Sequence, residues 1–224
     1  MREILADSEA LAQRAARLIS DACRAAVAAR GAFHLALAGG SSPRRCYEIL
    51  ATLDLPWGQM HLWLGDERCL PVGDAERNDT MVRAALLDRL AAQPQFHPIS
   101  AELGPLAAAA DYDARLRAAP LLDLALLGIG EDGHTASLFP GQGTLSDRES
   151  FALPVFDAPK PPPERISMGL LPLNAARGRI VLASGGGKCA ALSRIAAGER
   201  LPAALLDDAL WLLDRAAAGE EAAA

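Results

Sequence analysis

The sequence predicts an α/β protein with a mainly parallel β-sheet and helices on both faces. Three observations point there. Short apolar runs alternate with stretches of helical periodicity. The strongest run, LLDLALLGI at Leu121–Ile129, is apolar almost throughout, as befits a strand covered on both faces. Nearly every polar cluster rich in glycine follows directly on a strand, where this class binds its ligands. The chain of 224 residues, 51% hydrophobic and 22% charged, has no evident linker or internal repeat, so residues 1–224 are expected to form one domain.

From Ser8 to Arg30, Leu11, Ala15, Leu18, Ile19 and Ala22 recur at helical spacing. Asp7 or Ser8 suits the start of that helix and Gly31 its end. FHLALA (Phe33–Ala38) reads as a buried strand stopped by Gly39 and Gly40, and Pro43 suits the first turn of a helix running to Leu50. HLWL (His61–Leu64) is a second strand, ending at Gly65. Helical spacing returns over Arg77–Leu90 and Pro105–Ala118. After Leu121–Ile129, the proline-rich Pro154–Pro163 is expected to be a loop. Arg165–Leu170 and Arg179–Ala183 are strands, Lys188–Ala197 a helix and ALWLLD (Ala209–Asp214) a last strand. The tail GEEAAA is expected to fray.

Composition excludes several classes of function. A net charge of −6 argues against a general nucleic-acid or membrane-surface binder, which needs a basic face. No apolar run reaches the roughly 18–20 residues needed to span a bilayer, and the N-terminus lacks the apolar block of a secretory signal. A cytoplasmic protein, monomeric or a small homo-oligomer, is expected. Cys23, Cys46, Cys69 and Cys189 form no C-x-x-C pair and no zinc spacing with His34, His61, His97 or His134, which suits free thiols in a reducing compartment. Lys160 and Lys188 are the only lysines beside many arginines.

Four loops carry candidate chemistry. GGSSPRR (Gly39–Arg45) lies between a strand and a helix. Gly40 allows close backbone approach, while Ser41, Ser42 and the first helical amides can donate to an anion. GDER (Gly65–Arg68) puts Arg68 where it can face an anionic intermediate, with Asp66 or Glu67 fixing its geometry. GIGEDGHTASLFPG (Gly128–Gly141) matches G-x-G-x-x-G literally, but Glu131 and Asp132 occupy the turn that would cradle a pyrophosphate, so a dinucleotide is rejected on charge. It leaves His134 in a polar loop, suited to accept a proton near neutral pH. SGGGKCAAL (Ser184–Leu192) fails as a Walker loop, because Leu182 replaces its first glycine and Cys189 its Ser/Thr. Lys188 at a helix start remains a sensible phosphate donor, with Arg165 a candidate partner. Together these loops suggest a small phosphorylated substrate and proton transfer.

The segments LALAGGSSP, LWLGDERCLPVGDAERND, LLGIGEDGHTASLFPG and RISMGLLPLNAARGRIVLASGGGK, in this order, resemble the 6-phosphogluconolactonase family over nearly the whole chain. GGSSP stands where the family more often has GGSTP, and RISM carries a serine where threonine is common. The resemblance implies hydrolysis of a phosphorylated sugar lactone, 6-phosphogluconolactone, on a Rossmann-like fold with no cofactor and no metal. It implies His134 as the general base that activates water, Asp132 orienting the loop or His134, and Arg68 with loop amides stabilising the oxyanion. Gly40, Ser41, Ser42, Asp66, Arg165 and Lys188 would bind substrate, chiefly its phosphate.

Two alternatives stay in view. Glucosamine-6-phosphate deaminases share the fold and a similar phosphate site, but their comparable loop resembles DGHIAFNEPG, with a glutamate where Phe139 stands here. A phenyl ring relays no proton, although Asp66 remains where a deaminase would want a carboxylate base. A non-catalytic sugar-phosphate sensor would need a DNA-reading segment, for which the single helix before the first strand leaves no room.

Overall fold

The computed structural model describes residues 1–220. A strand not foreseen from the sequence, β1 (Arg2–Leu5), opens the chain. It leads into α1 (Ser8–Arg30), where the Asp7 side chain accepts from the Ala10 N–H and Gly31, at φ 77°, closes the last turn. Leu11, Ala15, Ile19, Cys23 and Ala26 form its buried stripe. Next come β2 (Phe33–Leu37), α2 (Ser41–Leu50), β3 (Met60–Leu64), β4 (Asp66–Arg68), α3 (Asn78–Ala85), β5 (Gln95–His97) and α4 (Pro105–Ala118). The remainder comprises β6 (Leu124–Gly128), β7 (Ala152–Val155), β8 (Arg165–Met168), α5 (Leu170–Ala175), β9 (Gly178–Ala183), α6 (Cys189–Ala196), β10 (Leu210–Asp214) and α7 (Arg215–Ala218).

Seven strands form one wholly parallel sheet in the order β1-β10-β9-β6-β2-β3-β5, with helices packed around it. All of β2 is buried and its register is even: Phe33 pairs with Met60 and Leu37 with Leu64 on β3, while Leu35 pairs with Leu124 on β6. Such alignment brings the carboxyl ends of β10, β9, β6, β2 and β3 to a common edge. The chain leaves β2 toward β3 on one side and returns through β6 toward β9 on the other. The diverging loops open a crevice at that switch point.

The second sheet overturns one expectation and trims another. GDER was expected to be a loop, and the strand expected over Arg165–Leu170 is present but ends at Met168. In this sheet β4, β8 and β7 pair antiparallel, with Asp66 opposite Ser167 and Arg68 opposite Arg165. Leu170 already belongs to α5. Pro154 falls within β7 rather than a loop, tolerated because β7 is an edge strand.

The helix expected over Arg77–Leu90 begins at Asn78, since buried Arg77 is held in extended backbone, and a separate 3₁₀ turn takes Leu87–Arg89. The helix expected from Lys188 starts at Cys189, after a 3₁₀ turn over Gly186–Lys188. The strand expected over Leu121–Ile129 is confined to β6. Beyond Glu220 the tail expected to fray lies outside the described residues.

The four cysteines are free thiols, and burial pushes Cys46 up to about 12. Among the described residues, no helix is long and apolar enough to cross a membrane.

Candidate active site

Buried tyrosines pin the sheet edge that carries the site: the Tyr47 hydroxyl donates to the Ala38 carbonyl and Tyr112 to Leu64, each at 2.8 Å. Beyond that edge lies a cleft of about 340 Å³. His134, Arg68, Asp66, Arg165 and Lys188 all line it, with Gly40, Asn78, Phe139 and Lys160. The imidazole after Asp132-Gly133 and the ammonium after the triple glycine therefore share one crevice. Both lysines of the chain face the same cavity.

The loop after β6 folds back on itself. The Gly130 N–H donates to the His134 carbonyl at 2.8 Å, and the Gly133 N–H to the Gly130 carbonyl at 3.0 Å. Asp132 Oδ1 lies 2.5 Å from His134 Nδ1 and also accepts the His134 backbone N–H at 3.2 Å. With Nδ1 facing a carboxylate, the ring holds its proton there and leaves Nε2 as a free lone pair. Burial raises the Asp132 carboxyl, but its interactions with His134 outweigh burial and hold it below the usual range. Gly130 has no alternative, because a Cβ there would sit 2.0 Å from His134 Nδ1. Gly133, at φ 86°, lies against Leu201, and the Ala203 N–H donates to its carbonyl at 3.0 Å.

The second sheet supplies the far wall. Asp66 is anchored at both oxygens: Oδ2 accepts from Ser137 Oγ at 2.6 Å and Oδ1 from the Asn78 amide at 3.0 Å. Asn78 packs so close to Gly39 that a Cβ there would meet its amide oxygen at 2.1 Å. Buried Glu67 accepts the N–H groups of Arg68, Asn78 and Asp79 at 2.7–2.8 Å and so caps α3. Burial pushes its carboxyl up to about 7, against the pull of those three donors. Glu67 thus fixes the backbone of Arg68, whose guanidinium also donates to the Glu76 carbonyl.

Arg165 is buried, which holds its guanidinium below the ordinary value, and it makes no ion pair among the described residues. Its Nε donates to the Pro162 carbonyl at 3.0 Å, and Nη2 to those of Lys160 and Pro161 at 2.8 and 3.1 Å. Its guanidinium also stands 5.6 Å from the Phe139 ring, whose other neighbour is His134 at 4.7 Å between centroids. A second hollow of about 330 Å³ adjoins the cleft through Gly39, Gly40, Gly128, Ile129 and Lys188, and contains Ser41 and Ser42. There α2 begins with no side-chain cap and no acidic residue in its first turn, so its end favours an anion.

Every binding or catalytic residue named from the sequence lines the cleft or its adjoining hollow, except Asp132, which reaches it through His134. Lys160, Ser137 and Asp214 were missed. Only the rarity of lysine signalled Lys160, and nothing local distinguishes the other two. His34, His61 and His97 instead stack with Trp63 along β2, β3 and β5. Among the described residues, no three His, Cys, Asp or Glu side chains are grouped to hold a metal ion.

The family model of glucosamine-6-phosphate isomerases/6-phosphogluconolactonase matches residues 6–212. The chain is 40% identical to the 6-phosphogluconolactonase of Homo sapiens over 235 aligned residues, covering 96% of this chain and 91% of the relative. It is 36% identical to that of Mycobacterium leprae, covering 97% of each. The crystal structure of 6-phosphogluconolactonase from Thermotoga maritima superposes with a TM-score of 0.87 at 25% identity, over 96% of this chain and 99% of that one. The chain belongs to the glucosamine-6-phosphate isomerase/6-phosphogluconolactonase family.

Proposed function

We propose that this chain hydrolyses 6-phosphogluconolactone to 6-phosphogluconate, with the single domain over residues 1–224 as the catalytic unit. One observation carries the reading: His134, with Nδ1 committed to Asp132, lines the same cleft as Lys188, which also borders the hollow of Ser41 and Ser42. The relatives from Homo sapiens and Mycobacterium leprae are both 6-phosphogluconolactonases matched over nearly their full length, which supports the same substrate.

In this mechanism His134 Nε2 takes a proton from water as its oxygen attacks the lactone carbonyl. Negative charge then develops on the carbonyl oxygen, where Arg68 and loop amides stabilise it more strongly than the neutral ground state. Collapse of the tetrahedral intermediate breaks the bond from the carbonyl carbon to the ring oxygen, which takes up the proton that His134 Nε2 had accepted and so restores the base. Ser41, Ser42, the amides around Gly40 and Lys188 hold the phosphate, with Arg165 contributing Nη1, which has no protein partner among the described residues. That remote anchor supplies orientation at the reacting carbon. Asp66, with both oxygens occupied, supports the wall rather than acting as a base.

Phe139 stands against the His134 ring where a deaminase would need a carboxylate, and this favours the lactonase. The same reading places a monomer or small homo-oligomer in the cytoplasm, with no nucleic-acid or membrane partner. The test monitors decay of freshly generated 6-phosphogluconolactone and, in parallel, ammonia release from glucosamine 6-phosphate. Accelerated lactone decay without ammonia is expected. Ammonia release would instead assign the deaminase, and phosphosugar binding without turnover a sensor.

A further inference from the structure

We propose that Asp214 is a positioning residue for Lys188, a clamp that sets where the ammonium enters the cleft. The inference rests on the lactonase reading of the site and adds a residue to it. Asp214 ends β10, next to β9 in the sheet, and only 4% of it is exposed. Its Oδ2 accepts from the Ser184 hydroxyl at 2.5 Å and from the Gly185 N–H at 3.0 Å. Its Oδ1 accepts from the Ala217 N–H at 2.7 Å and from the same Gly185 N–H at 3.1 Å. One carboxylate thereby ties the loop after β9 to the strand beside it and to the start of α7.

The tied loop is the one that carries Lys188. Gly185, at φ 87°, is its pivot, and the Gly185 carbonyl accepts the Lys188 N–H at 3.1 Å. Only Gly186 and Gly187 lie between pivot and lysine, and glycine resists backbone motion less than any other residue. A chain of two bonds thus runs from Asp214 through Gly185 to the Lys188 backbone. Glu131 of the histidine loop presses on Gly187 from the other side: a Cβ there would meet its carboxylate at 2.8 Å. Capping α7 alone would need only the Ala217 bond, so the bonds to Ser184 and Gly185 serve the loop. Both Asp214 oxygens are taken by these donors, so it acts through Lys188 and not on substrate.

Two variants test this, Asp214→Asn and Ser184→Ala; the second leaves the Ala217 cap in place. Each is assayed on 6-phosphogluconolactone and on unphosphorylated gluconolactone, and its affinity for 6-phosphogluconate is measured by calorimetry. KM for the phosphorylated lactone and the Kd for 6-phosphogluconate should rise about tenfold, with kcat within about twofold and the unphosphorylated lactone unaffected. In a Lys188→Ala background, Ser184→Ala should add no further loss, since the clamp has nothing left to aim. Unchanged KM and Kd, equal losses on both lactones, or full additivity with Lys188→Ala would overturn the proposal. Failure of the lactonase reading looks different: the wild type would bind 6-phosphogluconate without hastening lactone decay, and the Kd series would still judge the clamp.

Discussion

His134 Nδ1 and Asp132 Oδ1 are 2.5 Å apart, two residues apart in sequence, on a loop whose turn also joins the Gly130 N–H to the His134 carbonyl. The proposed base and the carboxylate that would orient it are thus one local unit. A ring nitrogen Nδ1 engaged by a carboxylate, with Nε2 facing away from it, is the orientation that the proposed general base requires.

His134→Ala should therefore lower kcat for 6-phosphogluconolactone by about 10²–10⁴, the usual worth of a positioned proton acceptor. Affinity for 6-phosphogluconate should stay within about threefold, because its phosphate is held elsewhere. Asp132→Ala should cost at least about tenfold in kcat with the same affinity. Stopped assays with calorimetry check both, and near-native turnover of His134→Ala would reject the general-base role.

Lys188→Ala removes a point charge from the boundary of cleft and hollow. A charged hydrogen bond contributes about 1.5–3 kcal/mol, so the Kd for 6-phosphogluconate should rise roughly 10–100-fold. Binding of unphosphorylated gluconate should barely change. Equal weakening of both ligands, measured by titration, would remove Lys188 from the phosphate.

Gly130→Ala tests the packing that places the proposed base. The added Cβ would come 2.0 Å from His134 Nδ1 and 2.6 Å from Asp132 Oδ1, so the imidazole must move. A displacement on the order of 1 Å costs about 10²-fold in rate. A fall in kcat of that size, with a nearly unchanged melting temperature, is expected.

The stacked histidines should make the fold acid-sensitive. His34, His61 and His97 are all lowered by burial, His97 to about 4, with neighbouring positive charge adding to the effect at His34 and His97. The unfolded chain then binds more protons than the folded one between the ordinary value near 6.5 and about 4. Stability contributed by the neutral ring is complete above pH 6.5 and is lost as pH falls toward 4. Solvent reaches part of the His97 ring, so its share of the loss is about 1 kcal/mol. Urea midpoints at pH 7.5 and 4.5 should differ by less in His97→Gln than in the wild type; an identical pH dependence would refute the assignment.

Much of the candidate site was legible because its residues lie on short segments that each succeed a strand. Gly39–Ser42, Gly128–His134 and Ser184–Lys188 are local turns, and their glycines mark close approach, as Gly39 against Asn78 and Gly130 against His134 demonstrate. Asp214 and Ser137 were invisible for the opposite reason. Asp214 meets Ser184 across 30 positions and Ser137 meets Asp66 across 71, so nothing near either residue announces its partner. The short strands β1, β4, β5 and β7 escaped periodicity because three or four residues carry too few side chains to show alternation.

By itself, then, the amino-acid sequence determined a parallel α/β sheet, the loops that bear the imidazole and the ammonium, and the family to which their motifs belong. Hydrophobic periodicity and glycine placement act over a few residues, and those properties need no more than that. Only tertiary structure decided that GDER and RISM cross the sheet edge as an antiparallel ribbon, that Arg165 grips the carbonyls of Lys160, Pro161 and Pro162, and that both lysines face one cavity. Those outcomes depend on which strands lie side by side, and that order is settled by burial of the whole core rather than by any local run of residues.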